Sequence, residues 1–259
     1  MRSPRNVLAL ALSVLFLGGL CSAIVPTPSA AQGLVYLTSW GSGGSGAGQM
    51  WDPVGISIGP DGIVYVLDQG NLRVQKFTRD GGILGSWTLP EPAFAENDQP
   101  YDIVADRFGH VFVVNEGTRH VIKYTTDGVL LLQWGYEGTG PGRFRDPISI
   151  TCDASGNVYV GQLGDCVIQK FTGDSLYVTQ WGPCGSGFGE LNQVLGMAIS
   201  AAGALYAVEW GNRRVQVFTT DGSPIAMWGS PGSGNGQFNG PTRVAVDPNG
   251  NVFVSDSDN

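Results

Sequence analysis

The residues "VYVLDQGNLRVQKF", at positions 64–77, return along the chain in altered form. They recur as "VFVVNEGTRHVIKY" at 111–124 and as "LYAVEWGNRRVQVF" at 205–218. The same spacing of 47 residues separates five tryptophans: Trp40, Trp87, Trp134, Trp181 and Trp228. One period kept over four intervals indicates an internal repeat, so the units can be compared position by position.

Each repeat contains four short runs rich in β-branched and aromatic residues, with glycine-containing turns between them. In the first unit we predict strands at 55–58, 63–67, 73–77 and 83–87. A four-stranded antiparallel unit of this length is typical of a β-propeller blade, which buries both apolar faces by stacking against its neighbours around a ring. The mature chain has no helix-length amphipathic pattern, so the predicted fold class is all-β.

Three segments of the repeat resemble the NHL-repeat family. They are "GPGRFRDPISITCDASGNVYV" (140–160), "GAGQMWDPVGISIGPDGIVYV" (46–66) and "GNGQFNGPTRVAVDPNGNVFV" (234–254). In the segment 140–160 the matching features are the Gly-x-Gly loop, the phenylalanine, the proline, the first strand, the Asp-x-x-Gly turn and the Val-Tyr-Val strand. The other two segments are similar. The resemblance covers nearly all of 33–259 and implies a β-propeller, commonly of six blades. Its motifs are specific for the fold and say little about function.

We expect the units to lie at about 41–87, 88–134, 135–181 and 182–228, with a partial unit at 229–259. The stretch "LVYLTSW" (34–40) matches a fourth strand without the three before it, and the last unit ends after its second strand. We therefore expect four full blades plus a partial fifth, a C-terminally incomplete part of a six-bladed ring with roughly 50–60 further residues. The alternative is a five-bladed ring with one defective blade.

The N-terminus has the pattern of a secretory signal peptide over 1–31. Arg2 and Arg5 precede an apolar run, and small residues before Gln32 offer a cleavage site. An uncleaved membrane anchor is the alternative. The formal net charge of −8 becomes −10 when the two arginines are removed, which argues against nucleic acid or an anionic membrane as partner. We expect a secreted or periplasmic, extracytoplasmic protein.

One pair of columns changes together inside the repeat. Asp68 stands five residues before Arg73, and Glu209 stands five before Arg214, but where the arginine becomes Val167 the acid becomes Gln162. This joint change predicts that the two side chains meet across the loop between the second and third strands. We interpret them as structural ion pairs rather than a ring of catalytic acids, since a partly buried charge needs a partner.

Two cysteines are predicted to lie at the same end of the blades. Cys166 begins a third strand and Cys184 lies in the connection to the next unit. In an oxidising compartment a Cys166–Cys184 disulfide is expected to contribute about 3 kcal/mol through loop closure. Two unpaired thiols are the alternative.

Positions that break the repeat are our candidates for ligand binding. Asp102, Ser149 and Arg243 share one column at the start of the innermost strand, beside the predicted central channel. Trp210 is expected at the same end, where an exposed tryptophan can anchor a partner or a carbohydrate. Glu96 and Asp98 belong to the divergent stretch "LPEPAFAENDQP", and with Tyr101 they are expected to form a distinct acidic lip. The alternatives are a tryptophan folded over a neighbouring blade and a neutral loop.

The sequence favours a non-catalytic binding scaffold over an enzyme. It has two histidines, His110 and His120, and no recognised catalytic motif. We therefore predict no catalytic residue, no metal and no cofactor, and a monomer that binds a protein, carbohydrate or small molecule. The alternative is a six-bladed hydrolase or lyase, whose site at the channel mouth is completed by further C-terminal residues. Peptide-amidating lyases of similar fold use several histidines around a metal, a set that these two do not supply.

Overall fold

This computed structural model describes the backbone of Leu10–Ala11 and the residues 38–90 and 99–259. The predicted signal peptide, apart from that dipeptide, and the predicted strand residues 34–37 lie outside the described residues, as do Glu96 and Asp98. The described part is all-β, with four antiparallel four-stranded blades arranged as a propeller. It contains no α-helix, and no helix in it is long and apolar enough to cross a membrane.

The strands follow one another in chain order within each blade. The first blade has β4 (Pro53–Ile58), β5 (Val64–Asp68), β6 (Arg73–Phe77) and β7 (Ile83–Thr88). The second has β8 (Pro100–Ala105), β9 (His110–Asn115), β10 (His120–Thr125) and β11 (Leu130–Trp134). The third has β12 (Pro147–Cys152), β13 (Val158–Gln162), β14 (Ile168–Phe171) and β15 (Tyr177–Trp181). The fourth has β16 (Val194–Ile199), β17 (Ala204–Glu209), β18 (Arg214–Thr219) and β19 (Pro224–Trp228).

The fifth unit contributes two blade strands, β20 (Pro241–Val246) and β21 (Asn251–Asp256). The short β1 (Leu10–Ala11) pairs antiparallel with β21. Before the first blade, β2 (Ser42–Gly43) and β3 (Gln49–Met50) pair in parallel, and a 3₁₀ turn at Gln69–Asn71 links β5 to β6. The predicted strands of the first unit are confirmed within two residues at each end.

Burial follows the position of a strand within its blade. Every residue of β5 and β13 is buried, because each of these second strands has a strand on either edge and is packed on both faces. β13 lies between two blades, whereas Val64 and Val66 of β5 pack against Trp40 and Met50 on the side away from the second blade. The outermost strands alternate between exposed and half-buried residues, and they expose one repeated apolar column: Leu84, Leu131, Val178 and Ile225. The core therefore lies between blades.

Apolar clusters cross each blade boundary. Ile103 of the second blade packs in one cluster with Tyr65 and Leu67 of the first, and Met197 of the fourth packs with Tyr159 of the third. Further clusters join the second blade to the third and the fourth to the fifth. On the uncovered side of the first blade, Ile56 is 64% exposed, whereas its equivalents Ile103 and Ile150 are each 3% exposed.

The periodic tryptophans explain why the 47-residue spacing is kept. The Trp87 ring lies between Tyr65 of its own blade, at a centroid distance of 6.2 Å, and Tyr124 of the next blade, at 5.8 Å. Trp134 and Trp181 repeat this arrangement between later blades. Each indole thus fills the joint between two sheets, at centroid distances and tilts typical of favourable aromatic pairs.

A lysine in the third strand makes a second connection between blades. Lys123 Nζ donates to the Gly173 carbonyl at 2.9 Å and lies 3.2 Å from Asp174 in the next blade. Lys170 repeats this with Thr220 and Asp221, and Lys76 Nζ lies 3.0 Å from Asp127. These lysine bridges cross at the end of the blades that carries the tight turns, which we call the turn face.

The opposite end carries the longer connections, and we call it the loop face. It consists of the loops between the second and third strands and the loops between blades. The inter-blade loops that the structure describes in full are 41–52, 135–146, 182–193 and 229–240, and the loops within blades are 69–72, 116–119, 163–167 and 210–213.

The two parts of a lysine bridge should differ in strength. Lys123→Met is expected to lower the free energy of unfolding by about 1.5–3 kcal/mol, because it removes a charged donor from a backbone carbonyl. Asp174→Asn should cost less than about 1 kcal/mol, since the Asp174 side chain is 88% exposed. Urea denaturation of both variants measures the difference. Equal losses of unfolding free energy in the two variants would contradict a dominant role for the hydrogen bond from Lys123 to the Gly173 carbonyl.

Candidate functional site: the loop face and the channel mouth

In the first blade, a buried carboxylate organises the inter-blade loop 41–52. Asp68 is fully buried and accepts hydrogen bonds from the Trp51 backbone N–H at 2.7 Å and from Arg73 Nε at 2.8 Å. Arg73 Nη2 reaches past it to the carbonyls of Gly46 and Gln49, each at 2.8 Å. We call this arrangement of an acid, an arginine and the carbonyls of a preceding loop an arginine clamp.

The fourth blade repeats the clamp with Glu209 and Arg214. Arg214 Nε lies 2.7 Å from Glu209 Oε1, and the arginine and glutamate are 7% and 0% exposed. Arg214 Nη2 donates to the carbonyls of Gly187 and Glu190 at 3.0 and 2.9 Å. The structure thus places both sequence-predicted pairs in contact, and it adds a role for each arginine in holding a loop.

A glutamine two residues after the arginine completes each clamp, and the sequence analysis missed it. Gln75 donates to Asp68 at 3.0 Å and to the Gln49 carbonyl at 2.6 Å. Gln216 does the same with Glu209 and the Glu190 carbonyl. The sequence does show this glutamine as a repeated residue. It ends the "RVQ" of the first and fourth blades, and Gln169 of the third blade occupies the same column.

The other blades hold their loops differently. In the third blade Gln162 Oε1 accepts from the Arg145 N–H at 2.7 Å, while its fully buried Nε2 has no hydrogen-bond partner. In the fifth unit Asp256 accepts from the backbone of Asn239 and Gly240 and from the Asn259 side chain. The position of Asp68 and Glu209 therefore keeps its loop contact in the third and fifth units, where no arginine is paired with it.

Disruption of the fourth-blade clamp should destabilise the protein strongly. Arg214→Ala is expected to lower the free energy of unfolding by about 3–5 kcal/mol, because the buried Glu209 carboxylate would lose its ion-pair partner. Arg214→Lys should recover only part of the loss, since an ammonium cannot contact both the carboxylate and two carbonyls in one plane. Arg213→Ala, at the partly exposed neighbouring position, is the control. An Arg214→Ala protein as stable as this control would contradict the clamp.

The predicted channel residues lie together. Asp102, 9% exposed, accepts from the backbone N–H of Ile103 at 3.0 Å and from that of Ile150, in the next blade, at 3.1 Å. Ser149, fully buried, precedes Ile150 in β12. The Arg243 guanidinium donates to carbonyls of three other blades: Val54, Tyr101 and Leu195. It therefore crosses the channel mouth and connects blades that are not neighbours.

Burial shifts the pKa of Asp102. Removal from water raises the pKa of Asp102 above its ordinary value, while the charge of Arg243 and the two backbone N–H donors act in the opposite direction. A carboxyl in this setting is either a structural group or a proton donor and acceptor. The protein backbone already occupies both of its oxygens.

The raised pKa of Asp102 predicts a specific pH dependence. Folding favours its protonated form, so this contribution to stability is complete below the ordinary pKa of 3.8 and is lost as pH rises through the folded-state value. Asp102→Asn removes the titration. The melting temperature of the variant, relative to wild type, should therefore be higher at about pH 7 than at about pH 4.

Arg243→Met is the companion variant, because it removes the charge that lowers the pKa of Asp102. It should steepen the loss of stability between the same two pH values. A relative melting temperature of Asp102→Asn that falls as pH rises would contradict the assignment.

Cys166 and Cys184 form a disulfide in the structure, with their Cα atoms 5.0 Å apart. The bond joins the 163–167 loop of the third blade to the 182–193 loop that leads into the fourth. Cys152 is a free thiol, and burial raises its pKa to about 12. It is therefore a poor nucleophile at neutral pH.

Four aromatic side chains project from the loop face. Their exposed fractions are 67% for Trp51, 55% for Tyr136, 53% for Phe188 and 43% for Trp210. Each stands in a column whose other members are mostly small, polar or charged, so the repeat does not require an aromatic there. Trp210 was predicted; the same column comparison would have found the other three.

The remaining sequence candidates are less exposed. Tyr101 is half-buried at the start of β8, and its carbonyl accepts from Arg243. Asp102 and Ser149 are buried, and Arg243 is engaged with backbone carbonyls. A direct role of these four in ligand binding stays a prediction. Among the described residues, no three His, Cys, Asp or Glu side chains are grouped so that they could hold a metal ion.

Solved structures with the same fold include enzymes and a protein complex. A streptogramin B lyase superposes with a TM-score of 0.57 and 16% identity, over 80% of this chain and 62% of that chain. A catalytically inactive virginiamycin B lyase from Staphylococcus aureus, with quinupristin, gives 0.60 and 17%, over 82% and 64%. A nidogen/laminin complex gives 0.58 and 18%, over 79% and 72%. At these identities the likeness concerns the fold alone, and this chain spans less than two thirds of the length of those lyase chains.

The sequence comparison identifies the repeat. The NHL repeat family matches residues 50–77 and 238–259. The chain therefore contains segments that match the NHL repeat, on a β-propeller fold, as its sequence resemblance implied. No curated protein sequence matches it.

Proposed function

We propose that this NHL-repeat propeller is a secreted or periplasmic binding scaffold that holds a partner on its loop face and carries out no chemistry. One observation carries the proposal: the exposed aromatic side chains Trp51, Tyr136, Phe188 and Trp210 all lie on that face. Aromatic side chains bury a large area on binding and lose little conformational entropy. Their occurrence at positions that the architecture does not need favours selection for contact with a partner.

The way the loops are held supports the same role. Arg73 donates to carbonyls of the 41–52 loop, which carries Trp51, and Arg214 donates to carbonyls of the 182–193 loop, which carries Phe188. A surface ordered before the partner arrives loses less entropy on binding. Rigid loops that display aromatic side chains therefore suit recognition.

The channel residues support a role without chemistry. Both oxygens of Asp102 accept backbone N–H groups, and Arg243 donates to three backbone carbonyls. Groups engaged in this way stabilise the ring and are poorly placed to contact a substrate. The nidogen/laminin complex is a protein assembly that contains the same fold, which is consistent with a propeller acting as a binding module.

The disulfide and the N-terminal sequence pattern support a secreted or periplasmic location. A Cys166–Cys184 bond persists in oxidising compartments. The basic, apolar and small-residue segments of 1–31 are those of a secretory signal.

A second candidate function is that of a lyase or hydrolase. The likeness in fold to streptogramin B and virginiamycin B lyases favours it, together with the raised pKa of the buried Asp102 at the channel mouth. In this candidate the active site would be completed by residues of a longer chain.

Binding through the loop face can be tested with two panels of probes. Purified protein is presented to a random peptide library and to a glycan array. We expect saturable binding in at least one panel, lost when Trp51, Tyr136, Phe188 and Trp210 are all replaced by alanine. Phe108→Ala on the turn face, 55% exposed in wild type, should have no effect. Circular dichroism verifies that the quadruple variant is folded.

Absence of binding in both panels, or binding that the quadruple variant keeps, would refute the proposal. Conversion of quinupristin by the protein, followed by liquid chromatography and abolished by Asp102→Asn, would instead support the lyase candidate.

A further inference from the structure

We infer that the partner-binding site of the loop face is centred on Phe188 and Trp210 of the fourth blade, and that it binds a peptide segment of another protein. This inference rests on the proposed function and makes it specific. We call these two side chains, with the loops 182–193 and 210–213 that carry them, the fourth-blade platform.

The 182–193 loop is held from both neighbouring blades. From the third blade, Cys166 bonds to Cys184. From the fourth, Arg214 donates to the carbonyls of Ser186, Gly187 and Glu190. Among the described inter-blade loops, this one has both a disulfide and an arginine clamp.

The contacts of this loop continue along its length. Asn212 donates to the Gly185 carbonyl at 2.9 Å, and Gln216 Oε1 accepts from the Gly189 N–H at 2.9 Å. Leu191 is fully buried, and the Asn192 N–H donates to Glu209 at 3.0 Å. From 184 to 192, each residue other than Phe188 thus has a bond to a neighbouring blade or a buried side chain.

Phe188 lies in the middle of this loop with its side chain 53% exposed. The glycines on either side, Gly187 and Gly189, are both held by the fourth blade. Trp210 is fixed to the same loop, because its backbone N–H donates to the Gln193 carbonyl at 3.0 Å. Two exposed aromatic residues are therefore presented on a backbone that needs little further ordering on binding.

The composition of the platform indicates a protein as partner. Around the two aromatic residues, "GPCGSGFGELNQ" and "WGNR" supply mainly glycine, serine, asparagine and glutamine, with one arginine, Arg213, and one acid, Glu190, whose carboxylate accepts from the Gly187 N–H within the loop. Rigid aromatic anchors among small polar residues are the composition of antibody paratopes. Protein interfaces are also enriched in arginine and poor in lysine, and all three lysines of this chain are used in bridges at the turn face.

Variants of the full chain test the inference against one defined probe. Twelve-residue peptides are selected from a random phage library on the wild-type protein, and their dissociation constants are measured by biolayer interferometry. Phe188→Ala and Trp210→Ala should each weaken binding at least about 30-fold, as expected for hot-spot residues. Phe108→Ala is the matched control, since Phe108 is 55% exposed on the opposite face, and should leave the dissociation constant unchanged.

The disulfide supplies a second readout that concerns the ordering of the platform. Cys166→Ser combined with Cys184→Ser should weaken peptide binding about 3- to 10-fold, because the loop would then have to be ordered on binding. The Arg214 clamp remains in this variant. Unchanged affinity would overturn the role of the disulfide in preorganising the site.

The outcomes separate this inference from the broader proposal. Peptides whose binding depends on Trp51 or Tyr136, but not on Phe188 or Trp210, would overturn the fourth-blade site and leave the loop-face function standing. Selection of no peptide, with glycan binding that requires Trp210, would overturn the class of partner. Binding that no loop-face variant affects would overturn both.

Discussion

The burial of one blade against the next is the interaction on which the whole structure depends. A four-stranded sheet with two apolar faces cannot be stable alone in water, and only a neighbour on each side removes both faces from solvent. The periodic tryptophans are placed at these joints, where Trp87 contacts the aromatic residues of two blades at once. Since the joint repeats, the residues that form it must repeat too, and this explains the 47-residue spacing.

Because the blades pack through their faces, the two ends of each blade can carry different structures. At the turn face, lysines extend to the next blade and short Asp-x-x-Gly turns close the strands. At the loop face, buried carboxylates, arginines and glutamines hold long glycine-rich loops against the sheets. The energetic cost of burying Asp68 or Glu209 is offset by several hydrogen bonds that each carboxylate accepts. The result is a face that is irregular in sequence but ordered in structure, as a recognition surface requires.

At the channel mouth, residues that depart from the repeat have structural contacts. Asp102 and Arg243 break the repeat, as functional residues often do. In the folded protein, however, Arg243 connects carbonyls of three blades, and Asp102 accepts backbone N–H groups of two. Departures from the repeat on the loop face are different, because Phe188 and Trp210 remain exposed to solvent. Exposure, rather than departure from the pattern, separates the candidates for binding from the candidates for stability.

The sequence by itself determined the fold class, the period, the strand positions and the acid–arginine pairs, because these depend on contacts that recur in register within one chain. Only the tertiary structure decided which loops the arginines hold, that Gln75 and Gln216 complete the clamps, and that Arg243 crosses the channel mouth. Those contacts join a side chain to a loop or blade that is distant in sequence, from 24 residues between Arg73 and Gln49 to 189 between Arg243 and Val54. Which carbonyl a guanidinium reaches is set by how the loops and blades pack, and the spacing of residues along the chain does not show it. The exposure of Trp51, Tyr136 and Phe188 was likewise decided by the packing of neighbouring loops. Comparison of the repeats can mark these residues as departures from the pattern, but it does not show whether their side chains face solvent.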